Sequence, residues 1–188
     1  STYKKSNQII LMIGNQTCPP SSPDYLPLKV LESHLSFGMS SVLFKLFREN
    51  NGLTYDVGVF NPFRKENSPF LIYLSVSNKN AILAFEILST LWRKLGSSLI
   101  SKKETDLAKI KLKSSYLISN QSLDEILQRK IQIIGFNLDP EYDINCKNKI
   151  EEISSEQILK ITNKYLSKPF LSVYGDEKIC NEIKKLWI

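Results

Sequence analysis

Residues 38–55 read GMSSVLFKLFRENNGLTY. Apolar side chains recur in this stretch at the spacing of one helix face, which predicts a short helix that begins at Ser41. Asparagine and glycine readily adopt the left-handed backbone conformation that stops a helix, so the helix is expected to end at the Asn-Asn-Gly run at 50–52. A strand follows this turn. Arg48, at the end of the helix, and Tyr55, at the start of the strand, are therefore expected to lie near one loop.

Four short segments rich in apolar, mostly β-branched or aromatic residues are predicted strands. They are residues 8–13, 53–60, 69–77 and 170–174. The second and third keep apolar residues at alternate positions and are joined by a polar link, which is typical of a hairpin. Gly14 and Asn15 are expected to close the first strand.

Two helices are predicted from apolar residues at three- and four-residue spacing. The first begins after Asp24, a suitable N-cap, and carries leucines at helical spacing until Gly38 interrupts. The second is a long amphipathic helix over residues 82–95, which Gly96 is expected to end. Trp92, within the second helix, is expected to pack in the core.

Three further helices are marked by capping boxes, in which a serine and a Glu or Gln three residues later satisfy each other's backbone N–H groups. The pairs are Ser101 with Glu104, Ser122 with Glu125, and Ser154 with Gln157. The apolar residues of the first of these helices are expected to face inward. They are Leu107, Ile110, Leu117 and Ile118. The second helix carries Ile126, Leu127, Ile131 and Ile134, and the third carries Ile158, Ile161 and Tyr165.

The order of these elements predicts an α+β fold, because long helical runs separate the hairpin from the closing strand. A chain of 188 residues is near the usual size of one domain. We therefore expect residues 1–188 to form a single domain.

The composition argues against several classes of protein. The net charge of +6 comes from lysines spread over the helical segments, not from a clustered basic stripe, so nucleic acid is not an expected partner. The apolar run at 9–13 is far shorter than the roughly 20 residues of a membrane span. Cys18, Cys146 and Cys180 form no C-x-x-C pair, which argues against a disulfide framework or a zinc ribbon and favours a reducing compartment such as cytoplasm or an organelle matrix.

The residue patterns that metal-dependent or nucleophilic catalysis requires are also missing from the sequence. Catalytic zinc needs three protein ligands, yet His34 is the only histidine, and Glu32 would point to a different face of the same helix. We expect no metal site in this chain, with His34 a surface or helix-packing residue. No serine lies in a G-x-S-x-G motif, and the glycines stand singly, which argues against a triad hydrolase or a phosphate-binding loop.

What remains is the pair of donors Arg48 and Tyr55. In amide hydrolysis negative charge builds on the carbonyl oxygen, and a fixed guanidinium or phenol can stabilise that charge by roughly 3 to 4 kcal/mol. Such groups assist a metal site without replacing it. From the residues alone a structural role is the stronger interpretation, since arginine suits the last turn of a helix and tyrosine is common in strands.

The stretch at 38–55 contains GMSS-x-LF followed by RE-x-x-GL-x-Y. This pattern resembles a signature in the C-terminal half of insulinase/pitrilysin-type zinc peptidases, of the mitochondrial processing peptidase-like type. The metal site of that family is H-x-x-E-H. QIILMIG at 8–14, GFNLDPEYD at 135–143 and SVYGD at 172–176 fall in the order of that half, so the resemblance covers nearly the whole chain. Val42 stands where the family often has arginine, and Phe37 where a further glycine is common.

The resemblance implies a mostly antiparallel sheet with helices packed on one face, the metallopeptidase half-domain of the LuxS/processing-peptidase-like type. Two such halves form a clam-like chamber around peptide substrates. Zinc is then expected in the N-terminal half, and no catalytic residue in this chain. Arg48 and Tyr55 inherit the family's role of contacting the substrate near the scissile carbonyl.

Three interpretations follow from the resemblance. The chain is the C-terminal half of a zinc endopeptidase, or a separate non-catalytic subunit that pairs with a zinc-bearing one, or a scaffold relative that has lost catalysis. On its own it is expected to be inactive. It is also expected to expose an apolar face that meets its other half, with a homodimer through that face as a further possibility.

Overall fold

Within residues 2–3, 6–118 and 122–187, which this computed structural model describes, five strands form one sheet in the order β1-β5-β2-β4-β3. The strands are β1 (Thr2–Tyr3), β2 (Gln8–Gln16), β3 (Asp56–Phe60), β4 (Pro69–Ser77) and β5 (Phe170–Gly175). Neighbouring strands are antiparallel except β1 and β5, which run parallel. The predicted hairpin of the second and third strands is confirmed by the pairing of β3 with β4.

The helices of the described residues follow the order expected from the sequence. They are α1 (Tyr25–Ser36), α2 (Ala81–Ser97), α3 (Lys102–Ile118), α4 (Leu123–Gly135), α5 (Tyr142–Lys149), α6 (Ser155–Leu166) and α7 (Glu177–Trp187). A π-helical segment, Phe44–Glu49, lies between α1 and β3, and single 3₁₀ turns cover Asn78–Asn80 and Ile150–Glu152. Helix α5 was not predicted, because its eight residues show no regular apolar spacing.

The core lies between the sheet and the helices packed on one of its faces. Alternate residues of β4 are buried, and these are Phe70, Ile72, Leu74 and Val76. Their neighbours in the strand are only half-buried, which is the pattern of a sheet covered on one face. The predicted α+β class, with a mostly antiparallel sheet and helices on one face, is confirmed.

Strand β2 is longer than predicted, because Gly14 and Asn15 continue it to Gln16. A Cβ at Gly14 would lie 2.1 Å from the carbonyl oxygen of Phe70 on the neighbouring strand. The glycine therefore permits close approach of two backbones within the sheet instead of ending the strand.

Strand β3 is shorter than predicted and begins at Asp56. The backbone N–H groups of Leu53 and Thr54 both donate to the carbonyl of Phe47, at 2.8 and 3.4 Å. These residues complete the end of the preceding helical segment and so cannot pair with β4.

Helix boundaries show two further differences. Asp24 precedes α1 as predicted but makes no capping hydrogen bond; its carboxylate accepts instead from Lys164 at 2.5 Å and from the Tyr165 hydroxyl at 2.9 Å. Gly96 lies inside α2, which continues to Ser97. Trp92 is buried as predicted, and its indole N–H donates to the carbonyl of Leu166 at 3.0 Å.

The capping boxes at Ser122 and Ser154 are confirmed, with both reciprocal hydrogen bonds present. Ser101 and Glu104 make the same pair of contacts at the start of α3. The predicted inward face of α3 is wrong, because Leu107 and Ile110 are exposed. The buried residues of α3 are Thr105, Ala108, Lys109 and Leu112. The side chains of residues 117 and 118 lie outside the described set.

Candidate substrate-contact site

The helical segment that follows Ser41 has π-helical geometry over Phe44–Glu49. The N–H of Asn50 donates to the carbonyl of Lys45, five residues earlier, at 2.9 Å. π-Helical turns are rare and occur frequently at functional sites, because the extra residue per turn moves a side chain relative to its neighbours. Here the affected turn carries Arg48.

The Asn-Asn-Gly turn closes this segment as predicted. Gly52 has φ of +56°, a conformation that favours glycine, and its N–H donates to the carbonyl of Arg48 at 3.1 Å. The side-chain amide of Asn51 donates to the carbonyl of Leu46 at 2.7 Å. Backbone and side-chain bonds thus fix the turn between helix and strand.

Arg48 and Tyr55 lie together at this turn, as the sequence predicted. The guanidinium carbon of Arg48 is 5.0 Å from the centre of the Tyr55 ring and 5.1 Å from that of Phe44. Tyr55 is 87% exposed, and Arg48 is also exposed. Among the described residues neither side chain takes part in a hydrogen bond or an ion pair, so their donor groups face solvent.

The residues flanking Tyr55 are anchored to the sheet. The hydroxyl of Thr54 donates to the carbonyl of Ser75 on β4 and accepts from the N–H of Asp56 at 3.0 Å. Phe44 was not predicted as part of the site. Its position four residues before Arg48 is the signal that could have found it, since such residues share a helix face.

The GMSS loop positions the start of the same segment. Gly38 has φ of +75°, and the N–H of Ser41 donates to its carbonyl at 3.0 Å. Ser41 is buried, and its hydroxyl accepts from the N–H of Phe44 at 3.4 Å. A glycine and a small hydroxyl residue are thus required here by backbone geometry and capping, respectively.

A groove of about 630 Å³, here called the α1–α2 groove, lies between α1, α2, α6 and the π-helical segment. Most of its walls are aliphatic, including Val42, Leu83 and Leu99. Leu46 and Asn50, one turn apart, line the groove, whereas Arg48 lies between them in sequence and does not. The groove and the Arg48–Tyr55 pair are therefore on different sides of one segment.

His34 lines this groove near the C-terminal end of α1 and is half-buried. Burial lowers the pKa of His34, and the nearby Lys111 lowers it further, while the Glu104 carboxylate opposes both effects. Glu32 is buried elsewhere on α1, with its carboxylate against the Lys29 ammonium. The histidine is thus a helix-packing residue rather than half of a ligand pair.

The residues present do not fit a zinc site. Within the described part of the chain, no three His, Cys, Asp or Glu residues are close enough together to hold a metal ion. Cys18, Cys146 and Cys180 are each buried with a free thiol. Donors that can polarise a carbonyl are therefore present at the Arg48–Tyr55 turn, without a cluster of metal ligands in the described part of the chain.

The fold and the site define an α+β domain with a mostly antiparallel sheet, exposed donor groups at the Arg48–Tyr55 turn and no metal-binding group in its described residues. The family model of the peptidase M16 inactive domain matches residues 2–112, and the chain belongs to this family, the M16 or insulinase-type metallopeptidases. An uncharacterised zinc protease of Rickettsia felis is 29% identical over 168 residues. That match covers 87% of this chain but 40% of the relative, so the chain spans less than half of the relative's length.

Solved structures share the fold. The peptidase M16 inactive domain from Pseudomonas fluorescens has a TM-score of 0.78 at 23% identity, covering 93% of this chain and 42% of that one. A putative zinc protease from Bordetella pertussis has a TM-score of 0.71 at 15% identity, covering 89% of this chain and 92% of that one. The mitochondrial processing peptidase-like subtype stays a prediction.

None of the helices in the described residues combines the length and the apolar character that crossing a membrane requires.

Proposed function

We propose that this chain, as a single domain, is the non-metal-binding C-terminal half of a zinc-dependent endopeptidase. It closes a peptide chamber together with a zinc-bearing N-terminal half, carried on the same chain or on a partner subunit. Its own contribution is to bind the peptide substrate through Arg48 and Tyr55. Zinc and the residues that activate water belong to the other half.

The observation that carries this proposal is the arrangement of Arg48 and Tyr55. The arginine stacks on two aromatic rings and has no carboxylate partner among the described residues, so its N–H groups are available to a ligand. A phenol and a guanidinium at one fixed turn can both donate to a peptide carbonyl oxygen. Because negative charge on that oxygen grows in the transition state, these donors act more strongly there than in the ground state.

The test is to replace each donor in the enzyme assembled with its zinc-bearing half. Arg48→Ala and Tyr55→Phe are each expected to lower kcat by about 100- to 1,000-fold, the effect of removing one oxyanion donor. Arg93→Ala and Tyr174→Phe are the matched controls, because they remove the same groups at sites away from the turn. Zinc content and assembly are expected to be unchanged in all four variants.

Full activity in both Arg48→Ala and Tyr55→Phe would contradict the substrate-contact role. The chain would then be a non-catalytic partner subunit or scaffold of a processing-peptidase-like assembly, which is the alternative. Isolated chain is expected to cleave no peptide with or without added zinc, and measurable hydrolysis by it would overturn the assignment of the catalytic site to the other half.

A further inference from the structure

Helix α4 exposes a continuous aliphatic surface. Leu123, Leu127, Ile131 and Ile134 are separated by four, four and three residues, the spacing of one helix face. Their exposed fractions are 81%, 56%, 60% and 63%, respectively. We call these four side chains the α4 stripe. It runs for about 17 Å along the helix, at a rise of about 1.5 Å per residue.

The position of α4 is fixed from its other side, so the exposure of the stripe is not the result of a frayed helix. Arg129 donates to the carboxylate of Asp143 on α5 at 2.6 and 2.9 Å, and its guanidinium lies 3.8 Å from the centre of the Phe63 ring. Ile133 is buried on the same side. The capping box at Ser122 orders the N-terminal end.

The composition of the stripe fits a permanent partner. Exposed apolar surface of this extent usually marks an interface. Obligate interfaces are more hydrophobic than transient ones and resemble a protein core cut in half. The α4 stripe contains only leucine and isoleucine.

The length of the relatives indicates what that partner is. This chain covers 40% of the Rickettsia zinc protease and 42% of the Pseudomonas chain, so a part larger than this domain lies outside it in both. A part of that size is the candidate to cover the stripe. The stripe is the longest row of exposed aliphatic side chains on any helix of the described residues.

We propose that the α4 stripe is the surface on which the zinc-bearing half packs. This inference rests on the proposed function, since it requires that such a half exists. The proposed packing surface is distinct in sequence from the Arg48–Tyr55 turn. Assembly of the two halves and contact with the substrate therefore depend on different residues.

The test measures hydrogen exchange of the α4 amides in the assembled enzyme. In the wild type we expect the α4 amides to be protected in the assembled enzyme and to exchange faster in the isolated chain. Leu127→Lys is expected to speed α4 exchange by at least tenfold and to weaken association of the halves, while exchange in α1 stays unchanged. Leu99→Lys is the matched control, because Leu99 is 52% exposed but lies in the α1–α2 groove.

Equal exchange of α4 in the wild type and in Leu127→Lys would overturn the inference, as would an effect of Leu99→Lys on α4 as large as that of Leu127→Lys. Protection of α4 that rises with concentration in the isolated chain, without the zinc-bearing half, would assign the stripe to a second copy of this chain instead. The two proposals fail separately. An unprotected stripe with activity still dependent on Arg48 contradicts only the packing surface, and a protected stripe with Arg48→Ala fully active contradicts only the substrate contact.

Discussion

Helices α1 and α4 have nearly the same length but are stabilised in opposite ways. Nine of the 12 residues of α1 are buried, and its N-cap Asp24 makes no capping bond. Helix α4 has 13 residues, of which Ile133 is the buried one, together with a complete capping box and the Arg129–Asp143 ion pair. Burial thus makes polar stabilisation unnecessary in α1. In α4, a capping box and an ion pair stabilise a helix whose apolar face is exposed to solvent.

The comparison is tested most strongly by removing one leucine from each helix. Leu31→Ala in α1 is expected to lower the free energy of unfolding by about 3 kcal/mol, because it leaves a cavity in a packed core. Leu127→Ala in α4 is expected to change it by no more than about 0.5 kcal/mol, as at other exposed sites. Urea denaturation of the isolated chain, without the zinc-bearing half, measures the difference between the two variants. Similar losses in both would mean that α4 is buried in the protein in solution.

The next largest effect is expected at the ion pair that holds α4. Arg129→Ala leaves the Asp143 carboxylate partly buried without its partner and removes the contact with Phe63. We expect a loss of about 2 kcal/mol, below the 3–5 kcal/mol of a fully buried pair because both side chains keep some access to solvent.

Lys130→Ala is the control for this change. Its exposed ammonium donates to the carbonyl of Pro140, in the loop between α4 and α5. The free energy of unfolding and the exchange rates of the α4 amides are measured together. If Arg129→Ala and Lys130→Ala behave alike, the ion pair does not hold α4.

The smallest effect concerns the pH dependence contributed by α1. Burial lowers the pKa of His34 below its usual value near 6.5, so the unfolded chain binds more protons than the folded one once the pH falls below that value. Stability is therefore expected to fall as the pH decreases from about 6.5 toward the folded pKa. The loss is about 1.4 kcal/mol for each pKa unit of lowering.

His34→Gln removes this contribution, and His34 is the only histidine in the chain. Glu32 acts in the opposite sense, because burial raises the pKa of its carboxyl and so favours the folded state as the pH falls. The quantity to compare is therefore the difference in the free energy of unfolding between wild type and variant, measured from pH 7 to pH 5. A difference that does not change with pH would show that His34 titrates alike in the folded and unfolded chains.

Local signals predicted several elements because they depend on neighbouring residues alone. The capping boxes at Ser122 and Ser154 and the turn at Gly52 were identified correctly for this reason. The proximity of Arg48 and Tyr55 was also predicted from local sequence. The two residues are seven positions apart with a tight turn between them, so they cannot lie far from each other. The four-residue spacing of Phe44 and Arg48 indicates their shared helix face, whereas no spacing in the sequence indicated the π-helical turn.

The faces of α3 and α4 could not be predicted in this way. Helical spacing shows which residues share a face, but it does not show which face meets the core. In α3 the buried side includes Ala108, and Lys109, whose ammonium donates to the carbonyl of Glu151 at 3.0 Å. The more apolar residues Leu107 and Ile110 are exposed. The inward assignment assumed that all apolar residues of this chain are covered within the chain itself.

The sequence by itself determined the α+β class, most helix starts, the turn that joins Arg48 to Tyr55, and the lack of enough histidine for the family's zinc site. These depend on residue identity and on interactions within a few positions. Only the tertiary structure decided which helix faces are buried, where β2 and β3 end, and that Gly14 lies inside a strand. Such features depend on how distant segments approach one another, as when the backbone of β4 comes close enough to β2 to exclude any Cβ at Gly14.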